Sequence, residues 1–202
     1  FYTICNVYYD TDDSSLIRQS LSKPVYKEKL RLRSYGVPDK SQDVFLEIKK
    51  KYNGIVNKRR CQLKINQADS LIKAHIYPKP DSYIHTQVLN EIYYLTSRLN
   101  LKPKVYIAYD RRAYFDIADK DLRITFDTNI RTRRYNIALE KGDYGTPLLK
   151  KDIWLMEIKC SGALPLWLTE ILSANHIYKT SFSKYGAEYK NHLKLTEEKD
   201  YA

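Results

Sequence analysis

Charged and apolar residues alternate along five segments of this chain, and this alternation constrains the fold more than any other feature of the sequence. Lys29, Arg31 and Arg33 alternate with Leu30 and Leu32. Successive side chains of a β-strand point to opposite faces, so the three cations share one face and the two leucines share the other. The same alternation recurs in residues 45–49, 109–111, 122–127 and 156–159. The pattern therefore predicts a sheet with one apolar face and one charged face.

The order of the remaining patterns predicts an antiparallel α+β fold. Strands are predicted at residues 2–9, 27–35, 43–51, 55–64, 104–114, 121–127 and 153–159. Helices are predicted from a cap at Asp12 or Asp13 to Leu21, from Asn66 to His75, over 83–99 and 164–173, and from Ser183 to Leu193. Asn53-Gly54 is a strong hairpin signal between two neighbouring strands. No linker interrupts the chain, so residues 1–202 are predicted to form a single domain.

Two arrangements fit a sheet of this kind. An open sheet could turn its charged face to water, and a closed barrel could enclose that face and place its apolar face under the helices 83–99 and 164–173. A lumen crowded with like charges is costly unless carboxylates and a bound anion offset them. The barrel is therefore also a prediction of a polyanionic ligand.

The overall charge points the same way. The chain has 35 lysines and arginines against 24 acidic residues, a formal net charge of +11. Such a surplus implies an acidic partner, which could be nucleic acid, an anionic membrane surface or a phosphorylated small molecule. Charge alone does not choose among them.

Cellular location is predicted from the cysteines and from apolar runs. Three cysteines with no CxxC pair predict free thiols in a reducing compartment, and no apolar run approaches the roughly 18 residues of a membrane span. No signal peptide is visible. These features predict a cytoplasmic chain. It begins at Phe1 in what resembles the middle of a strand, so an earlier part of the natural protein is expected to be missing.

Six segments, in order, carry a resemblance to a known family. They are KEKLRLRSY, FLEIKKKYNG, YDRRAY, LRITFDTNIR, LMEIKC and SFSKYG. Together they resemble the polyphosphate polymerase domain of the vacuolar transporter chaperone (VTC) type, within the CYTH-like triphosphate tunnel fold. The resemblance runs from about residue 2 to residue 190. It implies an antiparallel β-barrel, the triphosphate tunnel, with helices packed outside.

Twelve residues are expected to form the site, and the resemblance implies the roles of nine of them; Lys29, Glu47 and Lys159 are added because they share the charged faces of the same strands. Those matching phosphate-handling catalytic positions are Arg31, Arg33, Lys49, Lys58, Arg111, Arg123 and Lys184. Those expected to bind substrate are Lys29, Glu47, Lys159 and Ser183. Glu157 matches the glutamate that binds Mn²⁺ or Mg²⁺, although from spacing alone it could equally pair with an arginine of the lumen.

The chain departs from the family in two places. The family's first strand, which carries a basic residue, is absent before Phe1, and Ser181 stands where some members have lysine. No SPX-like regulatory domain or membrane segment accompanies the chain. It therefore resembles a stand-alone bacterial member, while a separate membrane partner remains compatible with the sequence.

The function implied is that of an ATP-dependent polyphosphate polymerase, with ATP and inorganic polyphosphate as partners. A tunnel triphosphatase and a non-catalytic polyphosphate-binding module are the alternatives. Nucleic-acid binding ranks last, because phosphate-backbone binding uses a continuous exposed basic face, whereas here basic residues interleave with carboxylates. Outside this set, Arg131, Arg133 and Arg134 are predicted to lie in a loop at the surface or at the tunnel rim.

Overall fold

The computed structural model describes residues 1–200. Within this range the chain forms, in order, β1 (Tyr2–Asp10), α1 (Ser15–Leu21), β2 (Tyr26–Tyr35), β3 (Asp43–Tyr52), β4 (Ile55–Lys64), α2 (Ile65–Ala74), α3 (Tyr83–Arg98), β5 (Lys102–Phe115), β6 (Arg123–Arg133), β7 (Thr146–Pro147), β8 (Leu155–Lys159), α4 (Leu166–Ala174) and α5 (Lys184–Asp200). A 3₁₀ turn at Leu139–Lys141 precedes β7. None of the helices described is both long and apolar enough to cross a membrane.

All the strands belong to one antiparallel sheet. Its order is β4-β3-β2-β1-β5-β6-β7. Strand β8 pairs with the same edge of β6 as β7 does, at a different position along that strand. The predicted α+β architecture with external helices is confirmed. The ladder has two ends, however: over residues 1–200 no backbone pairing joins β4 to β8, so hydrogen bonds do not close the sheet into a full ring.

The apolar face of the sheet forms the main core. Leu30, Leu32, Leu46 and Ile48 are at most 3% exposed and belong to one cluster that extends into α2 and α3. These are the apolar residues that alternate with the charges. Fully burying each such side chain stabilises the fold by about 1.5–3 kcal/mol, so the pattern fixes which face the helices cover.

Helix α3 packs much as predicted, with one exception. The sequence places Ile84, Val88, Ile92 and Leu95 at helical spacing, as one apolar stripe. Val88, Ile92 and Leu95 are buried, but Ile84 is 69% exposed. It lies in the first turn of the helix. The stripe therefore begins one turn later than its periodicity suggested.

The prediction that the helix at 164–173 covers the sheet is wrong. In α4 only Leu168 is buried, while Leu166, Trp167 and Ile171 are exposed. The segment is apolar on several sides, so its composition indicated a helix but not which side would pack. The sheet is covered by α2 and α3 instead.

The first turn of α1 is capped by Asp10 rather than by the predicted Asp12 or Asp13. The buried Asp10 carboxylate accepts hydrogen bonds from the backbone N–H groups of Leu16 (2.8 Å) and Ile17 (3.0 Å). These are orphan donors of the first turn. Asp10 also accepts a hydrogen bond from the Tyr185 hydroxyl (2.9 Å), which docks the start of α5 beside α1.

Strand β6 is longer than predicted, and this corrects the placement of two arginines. Arg131 and Arg133 lie within β6 rather than in a loop, and Arg133 is only 3% exposed. Its guanidinium lies over the ring of Tyr106 at 3.5 Å and donates to backbone carbonyls, including that of Tyr144 (2.7 Å). Arg134 pairs with Glu188 of α5 (2.7 Å). Arg133 and Arg134 are thus held in internal contacts.

Candidate functional site

The face opposite the main core collects the charged residues of the alternating strands, and we call it the charged face. Antiparallel register aligns its rows: Arg31 lies opposite Glu47, Arg111 opposite Asp127, and Thr125 opposite Glu157. Ten of the predicted site residues lie on this face, namely Lys29, Arg31, Arg33, Glu47, Lys49, Lys58, Arg111, Arg123, Glu157 and Lys159. The other two, Ser183 and Lys184, reach it from the start of α5. The structure brings all twelve together, and their roles stay predictions.

Glu47 is the acidic centre of one half of the face. Its carboxylate is 1% exposed, accepts a hydrogen bond from Arg31 Nε (2.5 Å), and lies 3.2 Å from Lys58 Nζ and 4.0 Å from Arg33 Nε. Lys58 is not aligned for a hydrogen bond, so Oε1 has no hydrogen-bond partner among the described residues. Burial would raise the pKa of Glu47, but the three cations outweigh burial and lower it. Glu47 is therefore an anion that orients its basic neighbours.

Asp127 is the acidic centre of the other half and was not among the predicted site residues. It is 1% exposed and accepts from Arg111 Nε (2.6 Å) and Nη2 (2.8 Å) and from Lys184 Nζ (2.6 Å). Burial opposes its ionised form, yet Arg111 and Lys184 lower its pKa. Asp127 alternates with apolar residues in the same way as Arg123 and Thr125, and this pattern predicted its position on the charged face. Nothing in the sequence indicated that Asp127 would accept two hydrogen bonds from the same arginine.

Three neutral side chains fix the two central arginines. Arg33 donates to Asn6 Oδ1 (2.9 Å) and to the Tyr109 hydroxyl (3.1 Å), and Arg31 donates to the Tyr8 hydroxyl (3.2 Å). Burial would raise the pKa of Tyr8, but Arg31 and Arg33 outweigh it and lower that pKa. The sequence suggested only packing for Tyr8 and Tyr109. In the structure they also hold the guanidinium groups in fixed orientations.

The start of α5 lies across the charged face. The Ser183 hydroxyl is 3.4 Å from Lys29 Nζ on β2, while Lys184 reaches Asp127 on β6 and lies 4.3 Å from the centre of the Tyr109 ring. Two strands, β1 and β5, separate β2 from β6 in the sheet. Consecutive residues touch both sides, so this segment spans the charged face and encloses part of it.

Positive charge exceeds negative charge on this face. Arg123 carries a buried Nε with no hydrogen-bond partner among the described residues, and its guanidinium lies 4.9 Å from the Phe115 ring centre. Lys49 is exposed and lies opposite Lys58 in the register. The carboxylates Glu47 and Asp127 are already engaged by other cations. The arrangement can therefore accept several phosphate groups, since arginine binds phosphate oxygens in pairs.

Glu157 is the one predicted metal ligand, and its surroundings allow that role. Its side chain is 49% exposed and lies 3.3 Å from Lys159 Nζ and 3.9 Å from Arg111 Nη2. Its cross-strand partner is Thr125, whose buried hydroxyl has no hydrogen-bond partner among the described residues. Among the side chains that the structure describes, residues 1–197, there is no cluster of three His, Cys, Asp or Glu suited to a metal. One carboxylate with phosphate oxygens and waters is nevertheless a normal site for Mg²⁺ or Mn²⁺. The donor set fits a metal that arrives with phosphate.

The comparisons with known proteins agree with this geometry. The family model described as "VTC domain" matches residues 1–192. Vacuolar transporter chaperone complex subunit 4 of Trypanosoma brucei brucei is 24% identical over 221 residues, which cover 91% of this chain and 27% of that protein. The chain thus spans about a quarter of that relative.

Two solved structures are similar to this chain. A putative adenylate cyclase from Bacillus halodurans superposes with a TM-score of 0.51 at 16% identity, covering 91% of this chain and 79% of the other. HpAC1 from Hippeastrum, described as a putative adenylyl cyclase with a dominant triphosphatase activity, gives a TM-score of 0.44 at 17% identity, covering 94% and 82%. The first of these supports the tunnel-like fold.

Proposed function

We propose that this chain, which belongs to the VTC domain family, binds ATP and inorganic polyphosphate on its charged face and transfers the γ-phosphate of ATP to the polyphosphate chain. The VTC match and the relative's place in a transporter chaperone complex support this proposal. The observation that carries it is the surplus of oriented, partly buried cations, above all Arg123 with its unpartnered Nε. A buried N–H group without an acceptor is costly, and an oxygen of a bound phosphate chain would supply the acceptor together with negative charge.

The burial of these cations favours a thin, flexible polyanion over nucleic acid. The side chains of Arg33 and Arg111 are 8% and 11% exposed, so a duplex lying on the molecular surface would not reach them. A single phosphate chain is narrow enough to enter beside them. Its oxygens would then meet guanidinium groups already held by Asn6, Tyr109 and Asp127.

The residues support phosphoryl transfer by position and charge. A terminal oxygen of the polyphosphate attacks the γ-phosphorus, a new P–O bond forms, the bond to the β-phosphate oxygen breaks, and ADP leaves. Arg111 and Arg123 would stabilise the charge that develops on the transferred group, and no protein nucleophile is required. Glu157, with the Thr125 hydroxyl nearby, would hold Mg²⁺ or Mn²⁺, which supplies further neutralisation of phosphate charge when bound.

Hydrolysis is the second candidate function. Half of the Glu157 side chain is exposed, so water reaches the place where the acceptor would bind. With water as the acceptor, the same residues would act as a triphosphatase. The nature of the acceptor, rather than a different set of residues, distinguishes the two activities.

An assay of the full-length protein separates the proposals. Protein is incubated with ATP and Mn²⁺, with and without a polyphosphate primer, and products are resolved on a gel stained for polyphosphate alongside a free-phosphate assay. Arg123→Ala and Glu157→Gln are expected to lose at least ~10²-fold in rate, since each removes charge stabilisation from the transferred group. Arg112→Ala is the matched control, because Arg112 adjoins Arg111 but lies on the other face, against Phe1 (4.3 Å).

The products decide among the functions. A ladder that both variants lose and Arg112→Ala keeps supports the polymerase. Free phosphate without a ladder identifies the triphosphatase. Tight binding of polyphosphate without either product contradicts both enzymatic proposals and leaves a binding module.

A further inference from the structure

The two ends of the charged face differ in chemistry. Along β2, the residues on this face run from Lys27 through the central arginines to Tyr35. Along β3 they run from Lys51, the partner of Lys27 in the register, to Phe45. The rings of Tyr35 and Phe45 contact each other edge to face at 5.7 Å. One end of the face is therefore aromatic and the other end is lined by lysines.

The lysine end opens into a cleft of about 470 Å³. The side chains that matter there are Lys23, Lys27 and Lys51, with Asn53 of the β3–β4 turn and Ser181 from the segment before α5. The Asn53 N–H donates to the Val25 carbonyl (2.9 Å), which ties the turn to the segment before β2. The cleft is therefore built by three separate stretches of the chain.

Lys27 is anchored in a positive environment. Its ammonium donates to the Ser20 carbonyl at the end of α1 (3.0 Å), so its position is fixed. Burial lowers its pKa, and the neighbouring Lys51, Lys49 and Lys23 lower it further. Nothing acidic among these groups offsets the cluster, so an anion in the cleft would relieve the repulsion.

The cleft is continuous with the site described above. Lys27 is two residues from Lys29 and four from Arg31 on the same face of β2. Arg33 and Arg111 both contact the Tyr109 side chain, and Arg33 is six residues of strand from Lys27, roughly 20 Å. That length greatly exceeds the reach of a tripolyphosphate.

We propose that the cleft formed by Lys23, Lys27 and Lys51 is a second binding site for condensed phosphate, which holds the far part of a long polyphosphate whose reacting end lies beside Arg111 and Arg123. The inference rests on the proposed function and adds a direction to it. The nucleotide would approach from the aromatic end and the growing chain would leave by the lysine end. These three lysines are not among the residues to which the family resemblance gives a role.

The test compares long and short phosphate chains. Binding of long-chain polyphosphate and of tripolyphosphate to the full-length protein is measured by calorimetry at fixed ionic strength, for the wild type, for Lys27→Ala/Lys51→Ala, and for Lys73→Ala. Lys73 lies on the outer helix α2, where it pairs with Asp69 (3.0 Å), so it controls for the loss of a positive charge as such. The double variant is expected to weaken long-chain binding about three- to ten-fold and to leave tripolyphosphate binding unchanged.

Each result has a separate meaning. An equal loss for both ligands, or no loss for either, overturns the proposed cleft. If Lys73→Ala weakens long-chain binding as much as the double variant does, the effect is one of overall charge. That result would also overturn the proposed cleft. A wild type that binds neither ligand contradicts the proposed function itself, whereas normal tripolyphosphate binding with an unaffected long chain contradicts the cleft alone.

Discussion

Replacing Glu47 by glutamine tests whether one buried carboxylate holds the cations of the charged face together. The change keeps the shape of the side chain and removes its charge, leaving Arg31, Arg33 and Lys58 without their counter-ion. The hydrogen bond from Arg31 is charge-assisted and is worth about 1.5–3 kcal/mol. Lys58 is 42% exposed and adds little, because solvent screens its charge. The expected loss is about 3 kcal/mol, at the lower end of the range for breaking a buried ion pair.

The effect should depend on pH in a defined direction. Because the pKa of Glu47 is lower in the folded protein, its contribution to stability is complete above the unfolded pKa of about 4.3 and is lost as pH falls through the folded value. The difference in unfolding free energy between wild type and Glu47→Gln is therefore expected to be constant above about pH 5 and to shrink below about pH 4.

Thermal and urea unfolding at neutral and acid pH measure this difference. A loss of about 3 kcal/mol in a chain of this size corresponds to a fall in Tm of roughly 6–12 °C. Glu91→Gln is the matched control, since Glu91 pairs with Lys50 and Arg59 at 2.8 Å each, on the opposite face and at 26% exposure. It should cost about 1 kcal/mol or less.

Two results would refute the reasoning. One is a Glu47→Gln variant no less stable than Glu91→Gln at neutral pH. The other is a stability difference that does not change at acid pH. A further consequence concerns the ligand: if polyphosphate supplies the missing negative charge, it should raise the Tm of Glu47→Gln by more than that of the wild type.

Other predictions concern the core, a close backbone contact and the thiols. Leu46→Ala should lower the unfolding free energy by about 2–5 kcal/mol in urea titration, since Leu46 is fully buried under the helices; a loss below 1 kcal/mol would contradict that packing. Gly145→Ala should lower Tm, because a Cβ there would meet the Thr132 carbonyl oxygen at 2.6 Å; an unchanged Tm would contradict the close approach of the backbone before β7 to β6. Under native conditions Cys160 should react with a thiol reagent much faster than Cys61, because burial raises the pKa of Cys61 to about 12; equal rates would be inconsistent with this burial.

The alternation of charged and apolar residues predicted much of this molecule. It identified the two faces of β2 and β3, because period-two patterning is a local property of a strand and needs no knowledge of its neighbours. The family resemblance then selected residues that the structure brings together on one face. Asp127 lay in the same alternation. Its importance is not visible in the sequence, because it depends on its pairing with Arg111, sixteen residues away, across a strand register broken by a bulge.

The features that could not be predicted are those set by distant parts of the chain. Asp10 caps α1 from six and seven residues before the N–H groups it accepts, which no local capping pattern describes. Arg133 resembles a surface cation in sequence but is buried by the rings of Tyr106 and Tyr144. The exposure of α4 likewise depends on what the rest of the chain leaves uncovered, and composition does not record it.

Strand β4 ends the hydrogen-bonded ladder of the described residues, and an edge of this kind is a template for another strand. Its central residues, Lys58, Arg59 and Arg60, are all basic. Two copies of the protein meeting edge to edge would place these cations against one another, and like charges directly opposite disfavour pairing. Lys58 and Arg60, which lie on the charged face, therefore also discourage the molecule from pairing with a second copy of itself, while a neutral or acidic strand would meet no such repulsion.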